Sequence, residues 1–332
     1  MIGYYVHHHG RGHLHRALSV ARELEDCVVG LSTLDRPLPW TGAWIDLPQD
    51  ADGPAPVDPT AGGALHWAPR QHVGLRERMA EISRWIVDVE PDLLVVDVSV
   101  EVALLARLHG VPVVVVAQPG DRRDAPHSLG YVIADHVVAP WPADARGMLT
   151  ADVLDGDQVT AVGAFSRFDD RPVTASGSGG GRHVVVLHGA GGTELSGDAL
   201  EAARARTPEW TWTVLGDGGV WVDDPWDDLC RADVVITHAG QNALAEVAAA
   251  RRPALVVPQT RPFDEQRTTA AVLDQRHGCP VMVRERLPED DLESVLDQVS
   301  HLDGEGWSAW NDGRGASRFA ALLADFVADR DG

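Results

Sequence analysis

Short valine-rich runs alternate with helix-like segments along the whole chain, and this alternation constrains the fold more than any other feature. Runs such as Leu93–Val96 are continuously apolar, as expected of parallel strands buried on both faces. The predicted strands are Ile2–Val6, Val28–Leu31, Leu93–Val96, Val113–Ala117, Val132–Val138, His183–Leu187, Thr211–Leu215, Val234–Thr237, Ala254–Val257 and Val281–Val283. The predicted helices are His13–Leu24, Leu75–Val87, Val100–Leu108, Gly197–Arg206, Gln241–Ala250, Asp264–Gln275, Glu289–Val299 and Gly315–Ala328. Such a βαβ series predicts an α/β fold with doubly wound sheets.

The βαβ series occurs twice, and a Gly/Ser-rich segment of the linker type, Ser176–Gly181, separates the two halves. A length of 332 residues also favours two domains over one. The predicted organisation is an N-terminal Rossmann-like domain over residues 1–168, a linker over 169–182, a second Rossmann-like domain over 183–312 and a C-terminal helix within 313–332. Two such domains predict a ligand cleft at the carboxyl ends of their sheets.

The amino-acid composition excludes several classes of binding partner and of chemistry. Acids outnumber bases 50 to 28, and the net charge of −22 disfavours binding to nucleic acid or to an anionic membrane surface. Every base is arginine, which excludes lysine Schiff-base and P-loop chemistry. The three cysteines are scattered, and we find neither a signal-peptide pattern nor an apolar run long enough for a transmembrane segment. These features predict a cytoplasmic protein.

A glycine loop follows the first predicted strand. Gly10 and Gly12 would allow a sharp turn and close approach to a ligand, and the helix that follows would offer free amides to an anion. His13, at the start of that helix, is a candidate general base; the alternative reading is a capping or packing histidine. Asp97, which ends another strand, is the second candidate base.

Three consecutive histidines, His7–His9, precede this loop. Successive residues of a strand point to opposite faces, so we expect that the three do not share one metal ion. The sequence therefore predicts no metal site and no cofactor.

Two further loops follow strands of the second half. The first, His188–Thr193, contains Gly189, Gly191, Gly192 and Thr193, and it predicts either an amide nest for phosphate or a plain tight turn. The second runs from Thr237 into a helix, with donors and amides suited to a diphosphate at the residues His238, Ala239, Gly240, Gln241 and Asn242. Glu246, on the same helix, could accept from two ribose hydroxyls, and Glu265 and Gln266 could bind further hydroxyls.

The second loop resembles the nucleotide-sugar signature of GT-B glycosyltransferases, H-x-G-x-N-x-x-x-E, followed by a Pro-Gln pair, an acid-Gln pair and Ala270. Most of the chain resembles the N-acetylglucosaminyltransferase family that completes the peptidoglycan lipid precursor, with a family 28-like C-terminal domain. The resemblance is strong from about Trp221 to Ala270 and weak over Leu34–Glu90 and Ala139–Thr160. Gly163 and Arg167 resemble a motif at that family's domain junction, and Trp221–Asp224 resembles its base-binding loop.

The resemblance implies a GT-B fold of two Rossmann-like domains facing a central cleft, with an N-terminal acceptor domain and a C-terminal nucleotide-sugar domain. It implies that His238, Gly240, Asn242 and Arg167 hold the diphosphate and that Glu246 binds the ribose. The backbone of Val222 would contact the base, and Glu265 and Gln266 the donor sugar. The family's final helix packs back on the first domain, as Gly315–Ala328 could do here. Thr269 and Glu265 depart from the usual residues, which leaves the sugar open.

The implied function is that of a hexosyltransferase. A sugar would pass from a nucleotide-diphospho-sugar, UDP-linked or dTDP-linked, to the hydroxyl of a small-molecule or lipid-linked acceptor by metal-independent inverting displacement. Two alternatives remain open. The loop Gly10–Arg16 also resembles that of a nucleotide-sugar hydrolase of the same fold, which releases a rare amino sugar and in which His13 would activate water. An epimerase of the same architecture is a minor variant of this first alternative. A non-catalytic sugar-nucleotide-binding protein is the second.

Overall fold

The structure, a computed structural model, describes residues 1–53, 55–173, 182–188, 195, 197–216 and 219–328. The chain divides into two compact units, each formed by separate stretches. Unit 1 comprises Met1–Pro140, Leu149–Val162 and Ala316–Gly332, and unit 2 comprises Trp141–Met148 and Gly163–Gly315. Residues 141–148 and 163–168 thus lie in unit 2, whereas the sequence assigned them to the N-terminal domain. Backbone bonds explain this, because Gly163 N donates to Trp141 O and Ala164 N donates to Trp310 O, each at 3.1 Å.

Unit 1 contains a parallel sheet in which the described residues form seven strands, in the order β3-β2-β1-β4-β5-β7-β9. Its strands are β1 Ile2–Val6, β2 Val28–Ser32, β3 Trp44–Asp46, β4 Leu93–Asp97, β5 Val113–Val116, β7 His136–Ala139 and β9 Val159–Ala161; β6 Gly120–Asp121 and β8 Leu149–Thr150 pair separately. Its helices are α1 Gly12–Leu24, α2 Val73–Val89, α3 Val100–Leu108, α4 Ala125–Ile133 and α10 Gly315–Ala328, of which all but Gly315 lies in unit 1. Strands β1 and β4 are buried throughout, which explains their lack of polar–apolar alternation.

The chain is closely packed beside β2. A Cβ atom on Gly30 would lie 2.2 Å from the Trp44 ring and 3.0 Å from the Trp40 ring. The Trp40 ring is 2% exposed and its Nε1 donates to Ala43 O at 3.1 Å. Only glycine leaves room for these two indole rings at the sheet.

Unit 2 contains a parallel sheet in which the described residues form five strands, in the order β11-β10-β12-β13-β14. Its strands are β10 Arg182–Leu187, β11 Trp210–Leu215, β12 Val234–Thr237, β13 Ala254–Val256 and β14 Val281–Val283. Its helices are α5 Gly197–Arg206, α6 Trp226–Arg231, α7 Gln241–Ala249, α8 Glu265–Asp274 and α9 Leu292–Ser300. A core on one face of the sheet includes Val184, Ile236, Leu255 and Leu296, all fully buried. The doubly wound α/β class predicted from the sequence is confirmed.

Helix α10 lies with unit 1, although it follows unit 2 along the chain. Its residues Phe319 and Leu323 are fully buried. Ser317 Oγ donates to Glu23 Oε2 of α1 at 2.8 Å, and Arg318 Nε donates to Val162 O at 2.6 Å. Apolar burial and these polar contacts hold the helix against unit 1.

One predicted strand is wrong. The run Val132–Val138 was expected to be extended, but α4 continues to Ile133 and β7 begins only at His136. The helix is capped by Asp124, whose carboxylate accepts from His127 N at 2.8 Å. This cap and a proline in the first turn are helix-start signals that the apolar run obscured.

Among the described helices, none combines the length and the apolar composition needed to cross a bilayer.

Candidate functional site

Unit 1 holds a buried carboxylate at the carboxyl end of β4. Asp97 is completely buried and accepts two bonds from Arg16 Nη1, at 2.9 and 3.1 Å. His13 Nδ1 lies 3.0 Å from Asp97 Oδ1, and Gln118 Nε2 lies 3.4 Å from the same oxygen. Burial alone would raise the pKa of Asp97, but Arg16 and His13 hold it below its usual value. The carboxylate therefore remains ionised at neutral pH.

His13 is oriented by this carboxylate. With Asp97 as the acceptor, Nδ1 of His13 is the donor, and in the neutral form of the ring this leaves the lone pair on Nε2. The His13 side chain is 19% exposed, whereas that of Asp97 is fully enclosed. Of the two candidate bases, His13 is therefore the one that a substrate can reach.

The glycine loop before α1 has the geometry that its composition predicted. Gly10 is exposed and has φ +73°, in the left-handed region that favours glycine. Gly12 is the first residue of α1, and Arg11 at the cap position makes no capping bond through its side chain. Arg16 entered the sequence analysis only as the last residue of the loop Gly10–Arg16 and had no role assigned, although its spacing of three residues from His13 places both on one helix face.

Ahead of this loop, His7–His9 are closer together than predicted. One ring nitrogen from each lies within 4.8 Å of the others. The argument from strand alternation is wrong here, because β1 ends at Val6 and the histidines lie in the bend beyond it. Burial lowers the pKa of His7 to about 3, with the neighbouring histidines acting in the same direction.

Unit 2 brings together Arg167 and Glu246, which are 79 positions apart. Arg167 Nε donates to Glu246 Oε1 at 2.8 Å, and Arg167 Nη1 donates to Asp223 O at 2.8 Å. Glu246 is 8% exposed; burial raises the pKa of its carboxyl and Arg167 opposes that shift. One guanidinium thus connects the buried carboxylate of α7 to the loop that carries the half-buried Val222.

The loop between β12 and α7 contains a buried histidine. His238 is 7% exposed, and burial lowers its pKa to about 4, so the ring is neutral at pH 7. Its Nδ1 lies 3.4 Å from Gln266 Nε2. Ala239 is buried, whereas Gly240, Gln241 and Asn242 are partly exposed.

The first turn of α7 begins at Gln241 with Gly240 at its cap, and within the described residues no side chain caps it. Backbone amides at such a helix start are suited to an anion.

The residues predicted to contact a sugar lie at the start of α8. Gln266 is buried, and its Oε1 accepts from Gln259 N at 2.9 Å. Glu265 is partly exposed, and Thr269 Oγ1 donates to its carbonyl at 2.9 Å. Immediately before the helix, Phe263 and Asp264 have φ of +61° and +53°, in a region where non-glycine residues are uncommon. The predicted phosphate contacts Gly189, Gly191, Gly192 and Thr193 lie outside the described residues.

The second half of the chain matches a known family of glycosyltransferases. Residues 222–303 match the glycosyltransferase family 28 C-terminal domain, and this range includes Val222, His238, Glu246 and Gln266. One relative is the UDP-N-acetylglucosamine–N-acetylmuramyl-(pentapeptide) pyrophosphoryl-undecaprenol N-acetylglucosamine transferase of Cupriavidus metallidurans. The chain is 33% identical to it over 121 residues, and this alignment covers 36% of this chain and 32% of that protein. The chain spans between 28% and 49% of the length of the first curated relatives it matches.

Solved structures match almost the entire fold. The glycotransferase of kitacinnamycin has a TM-score of 0.68 at 16% identity, covering 98% of both chains. MurG of Acinetobacter baumannii has a TM-score of 0.62 at 14% identity, covering 98% of this chain and 99% of that one. Both parallel-sheet units therefore define a protein of the GT-B fold.

More particularly, residues 222–303 of the second unit match the C-terminal domain of glycosyltransferase family 28. The resemblance predicted from the motifs is confirmed.

Proposed function

We propose that the chain transfers a hexose-type sugar from a UDP-sugar to an acceptor hydroxyl. One observation carries this proposal. The match to the family 28 domain covers the loop, the helix and the buried Glu246 carboxylate of the polar cluster to which Arg167 also belongs. The relatives quoted above are named as transferases, which gives the hydrolase alternative no support.

Unit 2 would bind the donor. The amides at the start of α7, with His238 and Asn242, suit the diphosphate, since a helix start attracts an anion. Glu246 would bind the ribose, and the backbone of Val222 would contact the base. Glu265 and Gln266 would contact the sugar. In this scheme Arg167 and the helix dipole stabilise the leaving diphosphate, so that no metal ion is needed for its departure.

Unit 1 would supply the base. As the acceptor oxygen attacks the anomeric carbon, His13 Nε2 takes the hydroxyl proton. The bond from the anomeric carbon to the diphosphate oxygen breaks with its electron pair on oxygen. A single displacement of this kind inverts the anomeric centre. Asp97 holds the His13 ring in the required tautomer and stabilises the imidazolium that forms, but does not itself contact the acceptor.

The acceptor is proposed to be a small molecule with a free hydroxyl, in preference to a lipid-linked one. The net charge of −22 opposes docking on an anionic membrane. The donor alternative is a dTDP-sugar, whose base differs from uracil by one methyl group.

The test is incubation of the protein with UDP- and dTDP-sugars in the absence of acceptor, following Tm and released nucleotide. A donor that raises Tm without being consumed supports a transferase. Rapid release of free sugar would instead make the protein a hydrolase, and the absence of stabilisation by every donor would refute the nucleotide-sugar assignment.

The base assignment is tested separately with His13→Ala, once an acceptor is known. Loss of this base should lower kcat by at least about 100-fold and leave the donor-induced rise in Tm unchanged. His301→Ala, at an exposed histidine of unit 2, is the matched control. Unchanged turnover in His13→Ala would remove that residue from the mechanism.

A further inference from the structure

The three histidines beyond β1 form a cluster that the proposed transfer reaction does not use. The ring centroids of His7 and His8 are 4.9 Å apart, those of His7 and His9 5.0 Å, and those of His8 and His9 4.5 Å. One nitrogen of each ring lies within 4.8 Å of the other two. Nitrogen ligands about 2.0–2.1 Å from a tetrahedral metal are roughly 3.3 Å apart, so small side-chain rotations would bring the three rings onto one ion.

His8 has the most unusual environment of the three. Its side chain is only 10% exposed, yet within the described residues neither ring nitrogen has a hydrogen-bond partner. The nearest carboxylate oxygen, Asp50 Oδ1, lies 3.8 Å from His8 Nε2. Buried polar atoms without partners are rare and call for an explanation.

Metal binding would give both ring nitrogens of His8 a partner, one the ion itself and the other the Asp50 carboxylate. Metal-bound histidines generally donate their second ring N–H to a carboxylate or carbonyl. With a small shift, His8 Nε2–H would donate to Asp50 while Nδ1 bound the ion. Asp50 is itself held in place by Arg78, whose Nη2 lies 3.2 Å from Asp50 Oδ1.

The other two rings are accessible to an ion. His9 is exposed, and its backbone N donates to His7 Nδ1 at 3.2 Å in a bond open to solvent. His7 can bind the ion through Nδ1 if that atom gives up its hydrogen bond from the His9 amide, which then donates to water. Alternatively, His7 can bind through Nε2 once the ring proton has moved to Nδ1. Buried imidazoles that remain neutral keep the lone pairs that metal binding requires.

We propose that His7, His8 and His9 bind one divalent ion of the imidazole-preferring class, Zn²⁺, Co²⁺ or Ni²⁺, with water completing its coordination. An all-imidazole set favours these ions over Mg²⁺ or Ca²⁺, which prefer oxygen ligands. The site lies in unit 1 beside the proposed base, since the ring centroids of His7 and His13 are 5.8 Å apart. It is distinct from the proposed donor site, in which the diphosphate is bound by residues of unit 2.

A second cluster, of His66, Asp124 and His127, is a weaker candidate. His127 Nδ1 lies 2.7 Å from Asp124 Oδ2, and its Nε2 lies 3.2 Å from Arg122 Nη1. Both nitrogens of that ring are therefore engaged, and the adjacent guanidinium would repel a cation.

The experiment titrates tag-free, metal-stripped full-length chain with Co²⁺, following its ligand-field absorption without substrate, and then with Zn²⁺ in competition with a chromophoric chelator. One equivalent of ion should bind. His9→Ala, which changes an exposed side chain, should weaken binding by more than about tenfold, and His8→Asn should do the same. His301→Ala and His66→Asn are the matched controls and should bind as the wild type does. The Tm of each variant without metal verifies that it is folded.

Three results would overturn the proposal. The first is binding by the wild type no tighter than by the triple variant His7→Ala, His8→Ala, His9→Ala. The second is unchanged affinity in His9→Ala. The third is loss of binding in His66→Asn but not in His9→Ala, which would place the ion at the second cluster.

Discussion

Replacing Asp97 by asparagine tests the ionic arrangement at the end of β4. The side chains have almost the same shape, so the substitution removes a charge without leaving a cavity. In the wild type, Asp97 accepts from Arg16 and pairs with His13, and the Arg16 side chain is itself only 4% exposed. After substitution, the buried Arg16 guanidinium would no longer have the Asp97 charge beside it.

The expected loss of stability follows from the broken ion pair between Arg16 and Asp97. Breaking a buried ion pair by removing one partner typically costs about 3–5 kcal/mol of unfolding free energy. Unit 1 contains about 170 residues. For a domain of this size, about 1 kcal/mol lowers Tm by roughly 2–4 °C, so we expect Asp97→Asn to lower the Tm of unit 1 by about 10 °C.

Differential scanning calorimetry would measure this loss, with hydrogen exchange at β1 and β4 assigning the transition to unit 1. The control is Glu81→Gln, whose pair with Arg84 is solvent-exposed and should contribute no more than about 1 kcal/mol. An Asp97→Asn variant as stable as Glu81→Gln would refute the claim that the buried charge holds Arg16 and His13 in place.

Three further substitutions test separate features. Glu246→Gln should abolish the rise in Tm produced by a UDP-sugar, because a neutral amide cannot replace the carboxylate towards both ribose hydroxyls; an undiminished shift would contradict the ribose assignment. Gly30→Ala should lower the unfolding free energy by about 1–3 kcal/mol in urea melts, since its Cβ would overlap Trp44, whereas Gly156→Ala, with no atom within 4 Å of its Cβ, should have little effect. Burial lowers the pKa of His127 to about 4, so its contribution to stability is complete above pH 6.5 and is lost as the pH falls from 6.5 to 4; pH-dependent melts of His127→Gln should lack that component, and an identical pH profile would argue against it.

Most strands could be predicted because burial on both faces leaves continuous apolar runs, and the bounds of Ile2–Val6 and Val281–Val283 agree with the structure. The run Val132–Val138 could not be resolved in this way. A short apolar stretch has no periodicity that separates the end of a helix from the start of a strand. The decisive signal was the cap at Asp124, which lies eight residues upstream of the run.

In the candidate site, local features could be predicted from the sequence, whereas contacts between distant elements could not. His238 and Asp97 could be singled out because each stands at or just beyond the carboxyl end of a parallel strand, and Glu246 because it lies within an otherwise apolar helix segment. The pairing of Glu246 with Arg167 depends on how distant elements pack, which no local pattern records. The proximity of His7–His9 was missed because the strand ends one residue before them.

The return of α10 to unit 1 determines the order in which the protein can assemble during synthesis. The ribosome must complete all of unit 2 before residues 316–328 emerge. Until then, the surface of unit 1 around Glu23 and Val162 has no helix to cover it, whereas unit 2 is already entire. Domains generally fold as units during synthesis. Unit 2 can therefore finish folding first, and unit 1, although it begins the chain, is the later of the two to be complete.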